Sequence, residues 1–163
     1  MIGTPWKSVF ALVVAGLSLC SVAKAQELKL NECPPAVQST IQSNGQGGTL
    51  TELKLVDRDG GTFYVAEIGL PENRDMKLYI APDGTLVRSR KEIDFRETPA
   101  KVRSTVLSLM PAGSTVTDVD VDTTEGVTIY VVEFKVSEQL ERKITMNAEG
   151  AVMSEHDKTR RSK

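Results

Sequence analysis

Pro34-Pro35-Ala36-Val37-Gln38-Ser39-Thr40-Ile41 and Pro99-Ala100-Lys101-Val102-Arg103-Ser104-Thr105-Val106 are one stretch met twice, 65 residues apart. Further along the chain the offset becomes 66. Gly60 then matches Gly126, Tyr64 matches Tyr130, Glu67 matches Glu133 and Gly84 matches Gly150. A repeat of this length is a supersecondary unit used twice, not a short-period solenoid. The copies run roughly over 32–94 and 97–158.

Each copy opens on a short helix. In the second, Thr98 is a natural N-cap and Pro99 a natural first helical residue. Val102, Val106 and Leu109 then recur at helical spacing and make one apolar stripe. In the first, Val37 and Ile41 give a shorter version that ends at Asn44-Gly45. Four strand-like segments follow each helix: 50–57, 62–69, 75–81 and 85–92, then 115–122, 127–136, 139–147 and 150–156. Asp59-Gly60-Gly61, Asp83-Gly84, Glu125-Gly126 and Glu149-Gly150 are hairpin turn signals between them. The spacing predicts an α+β fold of two tandem helix-plus-four-stranded antiparallel meander units. They join into an eight-stranded sheet with both helices packed on one face.

Alternation along the strands sorts the side chains. Tyr64, Ala66, Ile68, Leu53, Leu55, Leu78 and Ile80 point towards the helices, as do Tyr130, Val132, Phe134, Val119, Ile144 and Met146. The opposite face carries Phe63, Val65, Tyr79, Ile129 and Val131, with Glu52, Lys54, Glu67, Lys77, Glu133 and Lys143 around them. An apolar centre inside a charged rim is the composition of a binding surface.

The first 25 residues read differently. Lys7 gives a positive start, Val9 to Val22 is an apolar run of 14 residues, and Ala23-Lys24-Ala25 closes it with small residues at the cleavage positions. That is a secretory signal peptide, and the run is too short for the ~20 residues of a comfortable bilayer span. The expected organisation is therefore signal peptide 1–25, unit one 26–96, unit two 97–158 and a disordered basic tail 159–163. Cleavage removes Lys7 and Lys24 and no acidic residue. The 20 basic residues fall to 18 against 22 acidic ones, a net charge of −4. An acidic mature chain with no other apolar span argues against nucleic acid and membrane as partners. Its destination is the periplasm or the exterior.

The Pro-rich helix start Pro34-Pro35-Ala36-Val37, the segment Gly60 to Glu67 with Tyr64 inside it, and the turn Asp83-Gly84 form a set. By these the chain resembles the PepSY-like, β-lactamase-inhibitor-like family of exported bacterial proteins, over most of 32–158. The resemblance implies tandem helix-plus-four-strand units and a non-catalytic exported role. Relatives lay a concave sheet against an enzyme. No inhibitory loop transfers residue by residue, so the resemblance implies binding, inhibition or sequestration of some exported protein rather than of a β-lactamase in particular.

Catalytic constellations are not legible. The single histidine, His156, stands in Glu155-His156-Asp157 beside the basic tail, without a nucleophile in its motif. There is no Gly-rich phosphate loop and no Cys/His metal spacing, so no cofactor is expected. Asp118, Asp120 and Asp122 resemble the start of an EF-hand loop, but Thr123 replaces its glycine and Ile129 its bidentate glutamate. The row is a candidate cation site only. Cys33 aligns with Thr98, which places a thiol at the N-cap of the first helix, where the dipole lowers its pKa and favours a reactive thiol or an intermolecular disulfide. The expected function is a non-enzymatic exported binding module that uses its open sheet face against another exported protein or peptide. The alternative is a small-molecule or cation-binding exported protein.

Overall fold

The computed structural model describes residues 25–58 and 61–159. The signal peptide, apart from Ala25, and residues 160–163 of the basic tail lie outside the described residues, as do Asp59 and Gly60.

Both proline-led stretches form helices of ten residues, α1 (Pro35–Asn44) and α2 (Ala100–Leu109). The N-cap positions are Pro34 and Pro99, so α2 starts one residue later than its Thr98 suggests. Thr98 instead closes the 3-10 turn Phe95–Glu97, its hydroxyl donating to the Phe95 carbonyl at 2.7 Å. Val37 and Ile41 of α1, and Val102 and Val106 of α2, are buried against the sheet. Full burial of side chains of this size is worth roughly 1.5–3 kcal/mol each.

The sheet corrects the expected fold. It is one continuous nine-stranded antiparallel sheet whose strands lie side by side in chain order. They are β1 (Ala25–Glu27), β2 (Thr49–Arg58), β3 (Gly61–Gly69), β4 (Asp75–Ile80), β5 (Leu86–Glu92), β6 (Thr115–Thr124), β7 (Val127–Lys135), β8 (Leu140–Asn147) and β9 (Val152–Thr159). The described residues are mostly β, with two short α-helices, and not an α+β assembly of two helix-plus-four-strand units. Two pairings give the ninth strand and the join between the halves. β1 adds a strand beside β2, from Ala25↔Val56 to Glu27↔Lys54. β5 pairs with β6 from Arg88↔Thr124 to Glu92↔Asp120, across the boundary expected near residue 96. A free β5 edge would leave a row of unpaired amides and carbonyls, and pairing to β6 removes it. β9 also runs further than expected. Lys158, the last residue of the expected unit two, and Thr159, the first of the expected tail, pair with Glu141 and Leu140.

The core lies on the helix side in two clusters. Under α1 are Leu53, Ala66, Ile68, Met76, Leu78 and Ile80; under α2 are Val119, Val132, Phe134, Ile144 and Met146. Each helix rests on a hairpin turn. Thr40 Oγ1 donates to the Gly84 carbonyl at 2.6 Å, and Thr105 Oγ1 to the Gly150 carbonyl at 3.0 Å. Bulges at Thr51 and Thr117 bond their hydroxyls to the Glu67 and Glu133 carbonyls and keep the later residues of β2 and β6 in phase with the core.

Candidate functional site

Neither helix lies over the other face of the sheet, and its side chains are those of the second set read from alternation. β-Register places them in rows. Lys54, Val65, Tyr79, Arg88 and Thr124 stand opposite one another across β2 to β6. The next row is Glu67, Lys77, Arg90, Asp122 and Ile129, and beyond it Glu92, Asp120 and Val131.

The expected apolar centre with a charged rim is inverted. Phe63, Val65 and Tyr79 do come together, Val65 directly opposite Tyr79. Ile129 and Val131 come together too, but opposite Asp122 and Asp120 on the far side of β5 and β6. Between the two apolar strips runs a girdle of ions. Arg88 Nε donates to both Asp122 carboxylate oxygens at 2.9 and 3.0 Å, and its Nη2 also reaches Asp122. The Arg88 guanidinium stacks over the Tyr79 ring, 5.3 Å from its centroid. Arg90 pairs with Asp120. The carboxylates are the desolvated partners, with 7 % of Asp122 and 6 % of Asp120 side-chain surface exposed, while the arginines stay about a third or more open to solvent. The result is a fork pinned in place with its outer edge available, a geometry that suits bidentate recognition. Both guanidiniums are held more firmly protonated than usual by these carboxylates.

Arg88 and Arg90 are the residues that sequence reading missed. Their signal is present: two arginines at i and i+2 on β5 face three aspartates at i, i+2 and i+4 on β6. Flanking pairs extend the girdle at 2.6 Å each: Lys54 with Glu52, Lys77 with Glu67 and Lys143 with Glu133.

The aspartate row is divided in its chemistry. Asp120 and Asp122 already hold arginines, through Oδ2 of Asp120 and both oxygens of Asp122. Among the described residues no group of three or more His, Cys, Asp or Glu is placed to hold a metal ion. Among the described residues Asp118 has no ion-pair partner, and it stands directly opposite Glu133. With Lys77, Tyr79, Arg90, Glu92 and Asp120 it lines a depression of about 290 Å³. Burial, then the charges of Asp120, Glu92 and Glu133, push its carboxyl up to about 6. The folded pKa is above the ordinary value near 3.9, so ionised Asp118 costs stability above pH 6, and the cost disappears as pH falls towards 4. Asp118→Asn is expected to stabilise the protein at pH 7.5 by up to about 1 kcal/mol, a figure discounted for its solvent exposure. The gain should shrink steadily as pH falls from 6 to 4. Urea unfolding of both proteins across that range checks this, and a gain independent of pH would count against it.

Cys33 departs from its expected place. It precedes the N-cap Pro34, is 5 % exposed, and its Sγ points at the Lys29 carbonyl at 3.8 Å. Burial, with Glu32 adding to it, pushes the thiol pKa up rather than down. A buried, protonated thiol is a poor nucleophile. His156 stands on the edge strand β9 opposite Lys143, fully part of the exposed surface.

The fold is a single open-faced antiparallel sheet with two helices on its reverse. Three solved structures share it. A DUF2874 family protein from Bacteroides uniformis superposes with a TM-score of 0.60 at 18% identity, over 77% of this chain and 89% of that one. A protein of Bacteroides eggerthii provisionally assigned to the periplasm gives 0.59 at 19%, over 77% and 88%. A BLIP-like protein from Bacteroides fragilis gives 0.57 at 17%, over 80% and 89%. No family model matches the sequence, and neither does any curated protein. Among the described residues no helix is long and apolar enough to cross a membrane.

Proposed function

We propose that the chain is a non-enzymatic periplasmic or secreted binding module that engages another exported protein or peptide through its uncovered sheet face. Residues 1–25 serve as the signal peptide that exports it. The segments 26–96 and 97–158 descend from one duplicated PepSY-like sequence, now fused through the β5–β6 pairing. The observation that carries the proposal is the outer face itself. No described helix covers it, and five ion pairs and a cation–π stack already fix its long side chains. Side chains ordered before binding lose less entropy on docking. Tyr and Arg are also the residue types that dominate binding energy in interfaces. The BLIP-like fold of the Bacteroides fragilis neighbour and the periplasmic assignment of the Bacteroides eggerthii one agree with this reading.

The test has two stages. The mature chain is used to capture partners from the exported fraction, and each partner found is purified and titrated. A variant with Phe63→Asp and Ile129→Asp places a carboxylate in each apolar strip. Its affinity for the purified partner should fall at least ~100-fold, since two desolvated charges without partners oppose docking. An unchanged affinity would remove this face from the function.

A further inference from the structure

We infer that the seam between the two helices, on the reverse of the sheet, is a binding site for a small amphipathic carboxylate. This inference does not rest on the outer face. On the helix side, Met76, Lys91, Val121 and Tyr130 form one continuous row across β4 to β7. Met76 belongs to the cluster under α1 and Tyr130 packs against the one under α2, while Val121 belongs to neither. Ile93, just after β5, completes the apolar wall. The cavity over this row holds about 370 Å³, within the usual size of small-molecule sites.

Its polar groups, Gln46, Ser89, Lys91 and Glu97, are unequal. Glu97 on the rim is already committed, accepting from Arg74 Nη1 at 2.7 Å and from the Asp94 amide at 2.8 Å. Among the described residues the partner of Lys91 is neutral: it donates to Gln46 Oε1 at 2.7 Å. An ammonium with no counter-ion among the described residues, set in a row with Met76, Val121 and Tyr130 on a core-facing side, is a charge where the neighbouring row of Leu78, Ser89, Thr123 and Thr128 has none. Such local violations mark functional sites. A ligand with an alkyl or aryl body against Val121, Ile93 and Tyr130 and a carboxylate on Lys91 satisfies both features. A charge-assisted bond supplies the sign selectivity.

Octanoate, below its micelle concentration, is the probe, followed by methyl resonances of the mature chain. Saturable shifts confined to Val121, Ile93 and Met76 are expected. Acetate, which lacks the apolar body, should give none. Octylammonium should bind at least about tenfold more weakly, and Lys91→Gln should lose about tenfold in octanoate affinity, in line with the worth of one hydrogen bond to a charged group. Methyl resonances of the two cores, unchanged in Lys91→Gln, verify its fold. No saturation with octanoate, equal binding of octylammonium, or an unchanged affinity in Lys91→Gln would each overturn the inference.

Discussion

Gly150→Ala is expected to lower the unfolding free energy by about 2–4 kcal/mol, from a left-handed backbone and an overpacked contact together. Gly150 has φ +78°, and a Cβ there would stand 2.7 Å from the Lys101 carbonyl oxygen and 2.8 Å from Thr105 Oγ1. The obstruction is helix backbone, which cannot rotate away as a side-chain tip can. The same substitution also disturbs the Thr105 bond that seats α2 on the turn. Gly84 is in the same position beneath α1, with φ +91° and a Cβ only 2.7 Å from that of Ala36. Gly126 is the control. Its φ is +81°, yet nothing lies within 4 Å of its Cβ position. Gly126→Ala should therefore cost only the backbone strain, about 1–2 kcal/mol. Urea denaturation of Gly150→Ala, Gly84→Ala and Gly126→Ala separates the two contributions. Equal losses at Gly150 and Gly126 would show that α2 yields freely and is not held by the turn.

Those glycines also show which parts of the structure are written locally. The turns at Asp83-Gly84 and Glu149-Gly150, and the Val102/Val106 stripe, are each decided within a few residues. They were readable without knowing the neighbours. The register of the join between the halves is different in kind. β5 reads Leu-Val-Arg-Ser-Arg-Lys-Glu, with no apolar alternation to announce that it is central. Its partner β6 begins more than twenty residues later, and the complementarity lies between Arg88 and Asp122, 34 positions apart. Once that pairing is given, the charges explain themselves. Before it, they read as a solvated rim, and so the outer face was expected to be apolar at its centre. β1 escaped for a related reason: three residues, Ala25–Glu27, next to an expected cleavage point, carry too little pattern to mark a strand. Cys33 failed by a single position. One residue outside the cap, a side chain turns inward to the core instead of outward over the helix end, and burial outweighs the dipole.

Phe134→Ala is expected to cost about 3–5 kcal/mol, the range for emptying a phenylalanine site in a packed core. Phe134 is fully buried and the largest such side chain in the protein's core. It sits on β7 among Val132, Ile144 and Met146 beneath Val102 and Val106 of α2. Against a typical total of about 5–15 kcal/mol for a folded domain, this is a fifth or more of the stability. Ile129, five residues earlier on the same strand, faces the other way. It stands opposite Asp122 and touches no residue of either core cluster by register. Ile129→Asp should cost no more than about 1 kcal/mol, as expected of a surface substitution. The two variants divide one strand into a side that holds the fold together and a side that does not. If the outer face exists for a partner, their effects must cross. Phe134→Ala should bind that partner normally at a temperature where it remains folded, and Ile129→Asp should fold normally and bind poorly. Unfolding curves and partner titrations on the same two proteins measure both halves. An Ile129→Asp protein as unstable as Phe134→Ala would mean that the outer residues are retained for packing, and the partner-binding role of that strip would fall with it.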